Sequence, residues 1–355
     1  MNKKNILIID DSALMRRVLS DIINSDERFQ VKKVAHNGQE GMNILKADLS
    51  GYDAIILDIN MPVMDGIEFL KELQQSNIRI TVIVVSTLVK QGAVETIKAL
   101  EYGAFDFVTK PDSFQEAKSD EFRNKIMSCL EAGIAYYRNE QRKDESVTVR
   151  IAPKKEVSQS GTGSKLVVLC CSTGGPKALQ SVIPLLPENL DAPFILVQHM
   201  PEGFTQSLSE RLNEMSRIKV KEAADGEKLQ KGVVYIAKGG SQMRVKKDAA
   251  GNYELAVTME GARNGLKPCA DIMYESLCGT DYSEITCVVM TGMGADGTKG
   301  ITELEKNNNI YVIAQDAATC TVYGMPKAIA EAGMVNEIQP LDQLAKAITE
   351  HVGVR

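Results

Sequence analysis

The stretch Asn5-Ile6-Leu7-Ile8-Ile9-Asp10-Asp11 sets the pattern on which the reading of the fold rests: a short β-branched apolar run closed by carboxylates. An apolar run of this length suits a strand buried on both faces of a sheet. Comparable runs lie at 53–57, 80–85 and 105–108, and amphipathic stretches at about 12–25, 37–48, 65–76, 91–101 and 113–136 read as helices. Strands alternating with helices predict an α/β domain, a doubly wound parallel sheet with helices on both faces.

Further along, the sequence turns polar between about Arg138 and Ser164 and contains Ser158-Gln159-Ser160-Gly161-Thr162-Gly163-Ser164. We read 131–164 as a linker. Strand-like runs then resume at 166–171, 194–197, 233–237, 285–290 and 311–314, which predicts a second, larger α/β domain over 165–355 behind a first domain over 1–130. A chain of 355 residues, 44% hydrophobic and 25% charged, is long enough for two such cores and excludes wholesale disorder. The seven cysteines form no CxxC pair and no zinc spacing with the three histidines, so neither a disulfide framework nor a structural zinc site is expected. With a net charge of −6, and −5 over residues 166–355, the chain carries no nucleic-acid footprint. There is no signal-peptide pattern at the N-terminus and no apolar run of membrane-spanning length, so a cytoplasmic location without membrane insertion is expected.

In doubly wound sheets ligands bind beyond the carboxyl ends of the strands. In the first domain those ends carry Asp10-Asp11, Asp58, Ser86 and Lys110. Carboxylates gathered in one crevice repel one another unless a hard cation such as Mg²⁺ neutralises them, and a lysine adds a fixed positive charge. That set suits phosphoryl transfer to a carboxylate, although any one strand-end acid could instead cap a helix. Residues 4–112 resemble a two-component response-regulator receiver domain through Ile8-Ile9-Asp10-Asp11-Ser12, Leu57-Asp58-Ile59-Asn60-Met61-Pro62, Val85-Ser86-Thr87 and Val108-Thr109-Lys110-Pro111. The resemblance implies a flavodoxin-like fold, with Asp58 taking phosphate from a histidine kinase. It further implies that Asp10, Asp11, Asp58 and the Asn60 carbonyl hold Mg²⁺, that Ser86 and Lys110 read the phosphoryl group, and that Phe107 stands at an aromatic switch position.

In the second domain the strand ending at Cys171 runs into Ser172-Thr173-Gly174-Gly175-Pro176. A serine on a tight strand-to-helix turn exposes its hydroxyl at the sheet edge, though a glycine turn with a serine N-cap would look the same. A serine nucleophile needs a base oriented by a carboxylate. His199 closes the next strand, and the strand at 285–290 leads into Thr291-Gly292-Met293-Gly294-Ala295-Asp296-Gly297. Asp296 could orient His199. Alternatively, Gly292, Gly294 and Gly297 with Asp316 downstream match a dinucleotide fingerprint, but Asp296 would then set a carboxylate where a pyrophosphate must dock.

Taken together, residues 1–355 resemble the chemotaxis protein-glutamate methylesterase (CheB) family, through the Ser172 turn, Gln198-His199-Met200-Pro201, Tyr235-Ile236-Ala237, the 290–297 loop and Val322-Tyr323-Gly324-Met325-Pro326. The resemblance implies a Rossmann-like methylesterase domain in which Ser172 is the nucleophile, His199 the general base and acid, and Asp296 its orienter. Backbone N–H groups near Met293 and Thr173 would form the oxyanion hole, with no cofactor for the ester reaction. Substrates would be methyl-accepting chemotaxis receptors, at glutamyl methyl esters and at glutamine, and the unphosphorylated receiver would cover the esterase cleft. Two loops depart from the family pattern. Lys238-Gly239-Gly240-Ser241-Gln242-Met243 stands where Pro-Gly-Gly and then His are usual, and 265–271 has Lys267-Pro268-Cys269 where a basic residue precedes Pro-Ser. Both are expected to shape substrate access. They leave open a second class of function, a non-enzymatic signalling adaptor.

Overall fold

A computed structural model of the chain describes residues 3–87, 90–111, 113–140 and 164–355. The chain divides into two compact units, 1–145 and 146–355.

The first unit runs β1 (Lys4–Ile9), α1 (Ala13–Asn24), β2 (Phe29–Ala35), α2 (Gly38–Ala47), β3 (Ala54–Asp58), α3 (Gly66–Gln75), β4 (Thr81–Ser86), α4 (Lys90–Glu101), β5 (Asp106–Thr109), α5 (Phe114–Ala117) and α6 (Asp120–Glu140). The five strands pair in parallel in the order β2-β1-β3-β4-β5. Side chains start the helices as the sequence requires: Ser12 and Asn37 accept the N–H groups of Met15 and Glu40, and Asp65 forms a capping box with Glu68. One face of the sheet buries Ile6, Ile8, Ile56, Ile83 and Val85 against α1 and α6. Strand β2 escaped the sequence reading. It lies at the sheet edge and reads Phe-Gln-Val-Lys-Lys-Val-Ala, too polar for a run of apolar residues to mark it.

The boundary expected at residue 131 requires correction. Helix α6 continues to Glu140, and Leu130 and Ile134 sit in the core of the first unit. Polar residues on its outer face hide this continuation from a reading by composition. The rest of the expected linker, 141–163, lies outside the described residues.

The second unit runs β6 (Lys165–Cys171), α7 (Gly175–Val182), β7 (Phe194–Gln198), α8 (Phe204–Met215), β8 (Lys219–Glu222), β9 (Val233–Ile236), β10 (Gln242–Lys247), β11 (Tyr253–Thr258), α9 (Ala270–Glu275), β12 (Glu284–Val289), α10 (Thr298–Glu305), β13 (Ile310–Gln315), α11 (Met325–Glu331), β14 (Glu337–Gln339) and α12 (Leu344–Val352). Seven strands form a parallel sheet in the order β14-β13-β12-β6-β7-β9-β8, and β10 pairs with β11 as an antiparallel hairpin. The first strand of the unit is therefore central. The chain proceeds outward on the β7 side and returns to the β12 side, so the crevice beside β6 is a topological switch point. Five strands stand where the sequence predicts them. The short β8 and β14 and the amphipathic hairpin were not expected.

Because α6 carries core residues past position 131, Ile134→Ala is expected to destabilise the first unit by about 2–4 kcal/mol. Urea unfolding of the full chain checks this, and a loss below about 0.5 kcal/mol would place this turn of helix outside the core.

Candidate active site

Two sites occupy the carboxyl edges of the two sheets. In the first unit, parallel pairing of β1, β3 and β5 around β4 brings Asp10, Asp58, Ser86 and Lys110 to one edge. Asp10 is 1% exposed and Asp58 4%. Lys110 Nζ lies 2.6 Å from Asp58 Oδ2 and 3.1 Å from Asp10 Oδ2. Asp58 Oδ1 accepts the N–H of Ile59 at 2.8 Å, and Asp10 Oδ1 that of Ser12 at 2.8 Å. Burial pushes the Asp58 carboxyl above its ordinary range, outweighing the opposing pull of Lys110. Burial pulls the Lys110 ammonium down, but Asp58 and Asp10 more than offset it, and the lysine stays charged.

Oxygens of Asp10, Asp11 and Asp58 lie within 4.8 Å of one another. Asp10 Oδ2 is buried and has the Lys110 ion pair but no donor in hydrogen-bonding geometry. Three carboxylates against one ammonium leave an excess of negative charge and an underused oxygen, a donor set that fits a hard divalent cation. Asn60 is exposed in the loop after β3, and Ser86, 2% exposed, donates to the Gly92 carbonyl at 3.3 Å. Phe107 is buried beside Val84.

In the second unit, register places the residues. Cys171 pairs with Gln198 across β6 and β7, so Ser172 and His199 emerge side by side, and the His199 N–H donates to the Cys171 carbonyl at 3.2 Å. On the other flank the Ser172 N–H donates to the Thr291 carbonyl at 3.0 Å, which brings the loop after β12 against the serine. The turn from β6 into α7 needs Gly174, whose φ of +76° side chains rarely adopt.

His199 Nε2 lies 2.7 Å from Asp296 Oδ2, which leaves Nδ1 as the nitrogen free to act as a base. Asp296 also accepts from Ala270 N at 2.6 Å, Asp271 N at 3.0 Å and the Cys269 thiol at 3.1 Å. Burial alone would raise this carboxyl, but His199 and the two backbone donors bring it down to about 2. Asp271 answers from the other side: its Oδ1 accepts the N–H groups of Gly297 at 2.9 Å and Gly300 at 2.8 Å. Each carboxylate thus caps the other's helix, Asp296 that of α9 and Asp271 that of α10. Asp271 already takes the N–H groups a pyrophosphate would need, which disposes of the dinucleotide reading.

Among the described residues, no hydrogen bond joins the Ser172 hydroxyl to His199. Such bonds tighten when substrate binds. The peptides around the serine are held firmly. The Ser172 carbonyl accepts from Gly175 N at 2.7 Å, and the Gly292 carbonyl from Gly324 N at 3.1 Å and Met325 N at 2.8 Å. In a planar trans peptide the N–H points opposite to the C=O, so these bonds orient the N–H groups of Thr173 and Met293. The Thr291 hydroxyl braces both stretches, donating to the Thr173 carbonyl at 3.0 Å and accepting from Val322 N at 2.9 Å.

The two atypical loops meet beside Asp296. Gly240 N donates to the Lys267 carbonyl at 3.2 Å. The Gln242 amide donates to the Gly261 and Leu266 carbonyls at 3.2 and 3.0 Å and accepts from Cys269 N at 2.9 Å. Sequence reading missed Gln242, Cys269, Asp271 and Thr291 because their partners are distant in the chain, although Cys269 stands at a departure from the family pattern.

Asp296 stabilises the fold while ionised. Its carboxyl moves from 3.8 to about 2 on folding, so this stabilisation is complete above about pH 4 and is lost as pH falls toward about 2. Asp296→Asn is expected to cost about 2 kcal/mol near pH 6. In urea titrations across pH, the gap to the native protein should narrow below about pH 4; a gap independent of pH would contradict the assignment.

Comparison with known proteins agrees with this architecture. The family model for the response regulator receiver domain matches residues 6–119, and that for the CheB methylesterase matches residues 167–348. The protein-glutamate methylesterase/protein-glutamine glutaminase of Bacillus subtilis (strain 168) is 40% identical over 98% of this chain and 98% of its own length. The protein of Syntrophomonas wolfei named protein-glutamate methylesterase/protein-glutamine glutaminase 1 is 39% identical over 98% and 99%. The crystal structure of the Thermotoga maritima CheB methylesterase catalytic domain superposes with a TM-score of 0.50 at 38% identity, covering 53% of this chain and 99% of that one. Among the described residues, no helix is long and apolar enough to cross a membrane. A receiver-type unit followed by a switch-point site at the edge of a seven-stranded parallel sheet, with likeness of this extent, shows that the chain belongs to the CheB methylesterase family.

Proposed function

We propose that this protein hydrolyses glutamyl methyl esters on chemoreceptors with Ser172, His199 and Asp296 as a catalytic triad, under control of phosphorylation at Asp58. The observation that carries the reading is the His199–Asp296 pair at 2.7 Å, set beside Ser172 by the register of two adjacent strands. Asp296 keeps the His199 proton on Nε2 and so leaves a lone pair on Nδ1. Nδ1 takes the Ser172 proton as Oγ attacks the γ-carbonyl carbon, and the carbonyl oxygen becomes an oxyanion that the Thr173 and Met293 N–H groups receive. The imidazolium, facing the buried Asp296 carboxylate, returns the proton to the departing methoxide, and methanol leaves. Water then attacks the acyl-serine with His199 again as base, and glutamate and free Ser172 result. The same groups act on a glutamine side chain, with ammonia as the leaving group.

In the receiver, Asp58 is the phosphoryl acceptor, with a chemotaxis histidine kinase as donor. Mg²⁺, held by Asp10, Asp11, Asp58 and the Asn60 carbonyl, would neutralise the clustered acids and draw charge from the phosphoryl oxygens. Lys110 holds the acceptor carboxylate in place, and Ser86, at the same sheet edge, would bond the group once transferred. The receiver restrains the esterase until Asp58 is modified. The partners are chemoreceptors and the kinase, with neither nucleic acid nor direct membrane insertion involved.

Methanol release from methylated chemoreceptor membranes tests the reading. Release by the native protein should fall at least about 10³-fold in Ser172→Ala. Addition of Mg²⁺ and a small phosphodonor should raise it in the native protein and leave Asp58→Asn unchanged. No release from folded, phosphorylated native protein would sink the esterase reading in favour of an adaptor.

A further inference from the structure

Directly behind Ser172 and His199 lies the cross-strand pair Cys171 and Gln198. Gln198 is 2% exposed, and its carboxamide is fully engaged. Nε2 donates to the carbonyl of Ser172 and to that of His199, each at 3.1 Å, while Oε1 accepts from the Cys171 thiol at 3.0 Å. Two carbonyl acceptors on one side and a thiol donor on the other fix which end of the amide is nitrogen. No other side chain of similar size supplies two donors and an acceptor in one plane.

We infer that Gln198 is a positioning residue for acyl transfer: one buried amide ties the backbone of the nucleophile to that of the base. This rests on the reading of Ser172 and His199 in those roles. The tie has a second effect. By holding the Ser172 carbonyl together with Gly175 N, it sets the plane of the Ser172–Thr173 peptide and aims the Thr173 N–H the opposite way, toward the oxyanion. Nucleophile, base and one oxyanion donor therefore take their positions from a single group.

The surroundings leave the amide no freedom. A Cβ on Gly175 would lie 2.0 Å from Gln198 Oε1, so the glycine at the start of α7 makes room for this side chain. The β6–β7 ladder reaches only as far as the His199 N–H, which donates to the Cys171 carbonyl at 3.2 Å, and it leaves the Ser172 and His199 carbonyls to other partners. Beyond the last rung, the Gln198 amide replaces the ladder. Displacements of about 1 Å at a reacting centre cost on the order of 10²-fold in rate, which sets the scale of the expected effect.

The test uses the full-length protein with Gln198→Met, which keeps length and apolar volume but has no donor, and Gln198→Glu, which keeps shape but turns oxygens toward the two carbonyls. Methanol release and the rate at which a sulfonyl fluoride labels Ser172 are measured together. Labelling needs Ser172 Oγ, with its proton passed to His199, to displace fluoride from sulfur, so it reports the serine–histidine geometry without any receptor. For Gln198→Met we expect kcat and the labelling rate to fall about 30- to 100-fold, with KM within about twofold and an unmoved pH midpoint. Gln198→Glu should fall at least as far; should it fail to fold, the methionine variant still decides. Labelling and kcat within about threefold of native would overturn the inference, as would a rise in KM that accounts for the whole loss. If the native protein releases no methanol, the esterase reading fails, and the labelling rates still judge the tie on their own: slowed in Gln198→Met they support it, unchanged they refute it.

Discussion

Parallel pairing of β6 with β7 on one flank and β12 on the other is the constraint from which the second unit's chemistry follows. Parallel strands all deliver their carboxyl ends to the same edge, and the side chain emerging from each is decided by register. A slip of one residue between β6 and β7 would exchange Gln198 for His199 beside Cys171 and turn the His199 imidazole to the other face. The rungs from Val167 with Phe194 to Cys170 with Val197 are lined by fully buried apolar side chains, so such a slip would expose a whole stripe of core. Chemistry at the edge inherits its precision from burial several residues away.

The two sites solve one electrostatic problem in different ways. Each gathers buried carboxylates in a crevice where ionised groups are poorly solvated. In the receiver a lysine reaches across to two acids and still leaves negative charge in excess, a donor set that fits a hard cation. In the esterase no lysine or arginine forms an ion pair with Asp296 among the described residues; peptide N–H groups, a thiol and an imidazole supply the compensation. Of these, His199 lowers the carboxyl most, and the Ala270 and Asp271 N–H groups add fixed dipoles that do not titrate.

Much of this was legible in the sequence, and the reason is local. Buried parallel strands are continuous apolar runs, and the residue that ends such a run is the residue at the sheet edge; hence Asp10, Asp58, Ser86, Ser172 and His199 could be placed from the sequence alone. Asp296 sits within a glycine-rich loop, and its role depends on which strand neighbours β12, a fact of topology that no local pattern carries. The strands that went unread, Phe29–Ala35, Lys219–Glu222 and the 242–258 hairpin, are edge or amphipathic segments whose polar residues blur the pattern. The first domain outran its expected end at 130 because helix α6 keeps Leu130 and Ile134 in the core, past the point where the polar composition that follows sets the boundary. Gln198 lay in plain view beside His199, but what it does is visible only where two strands meet.

The position of β6 at the centre of its sheet also governs when the protein becomes competent during its synthesis. Ser172 is made about 120 residues before Asp296, and β6 acquires its second neighbour only when β12 has emerged. At about 5–20 residues per second, the serine spends on the order of 6–24 s in a nascent chain that cannot complete the site. A unit whose first strand carries Ser172 and whose loop after a late strand carries Asp296 cannot bring the two together until that late strand has been made, and a chain truncated before β12 lacks Asp296 altogether.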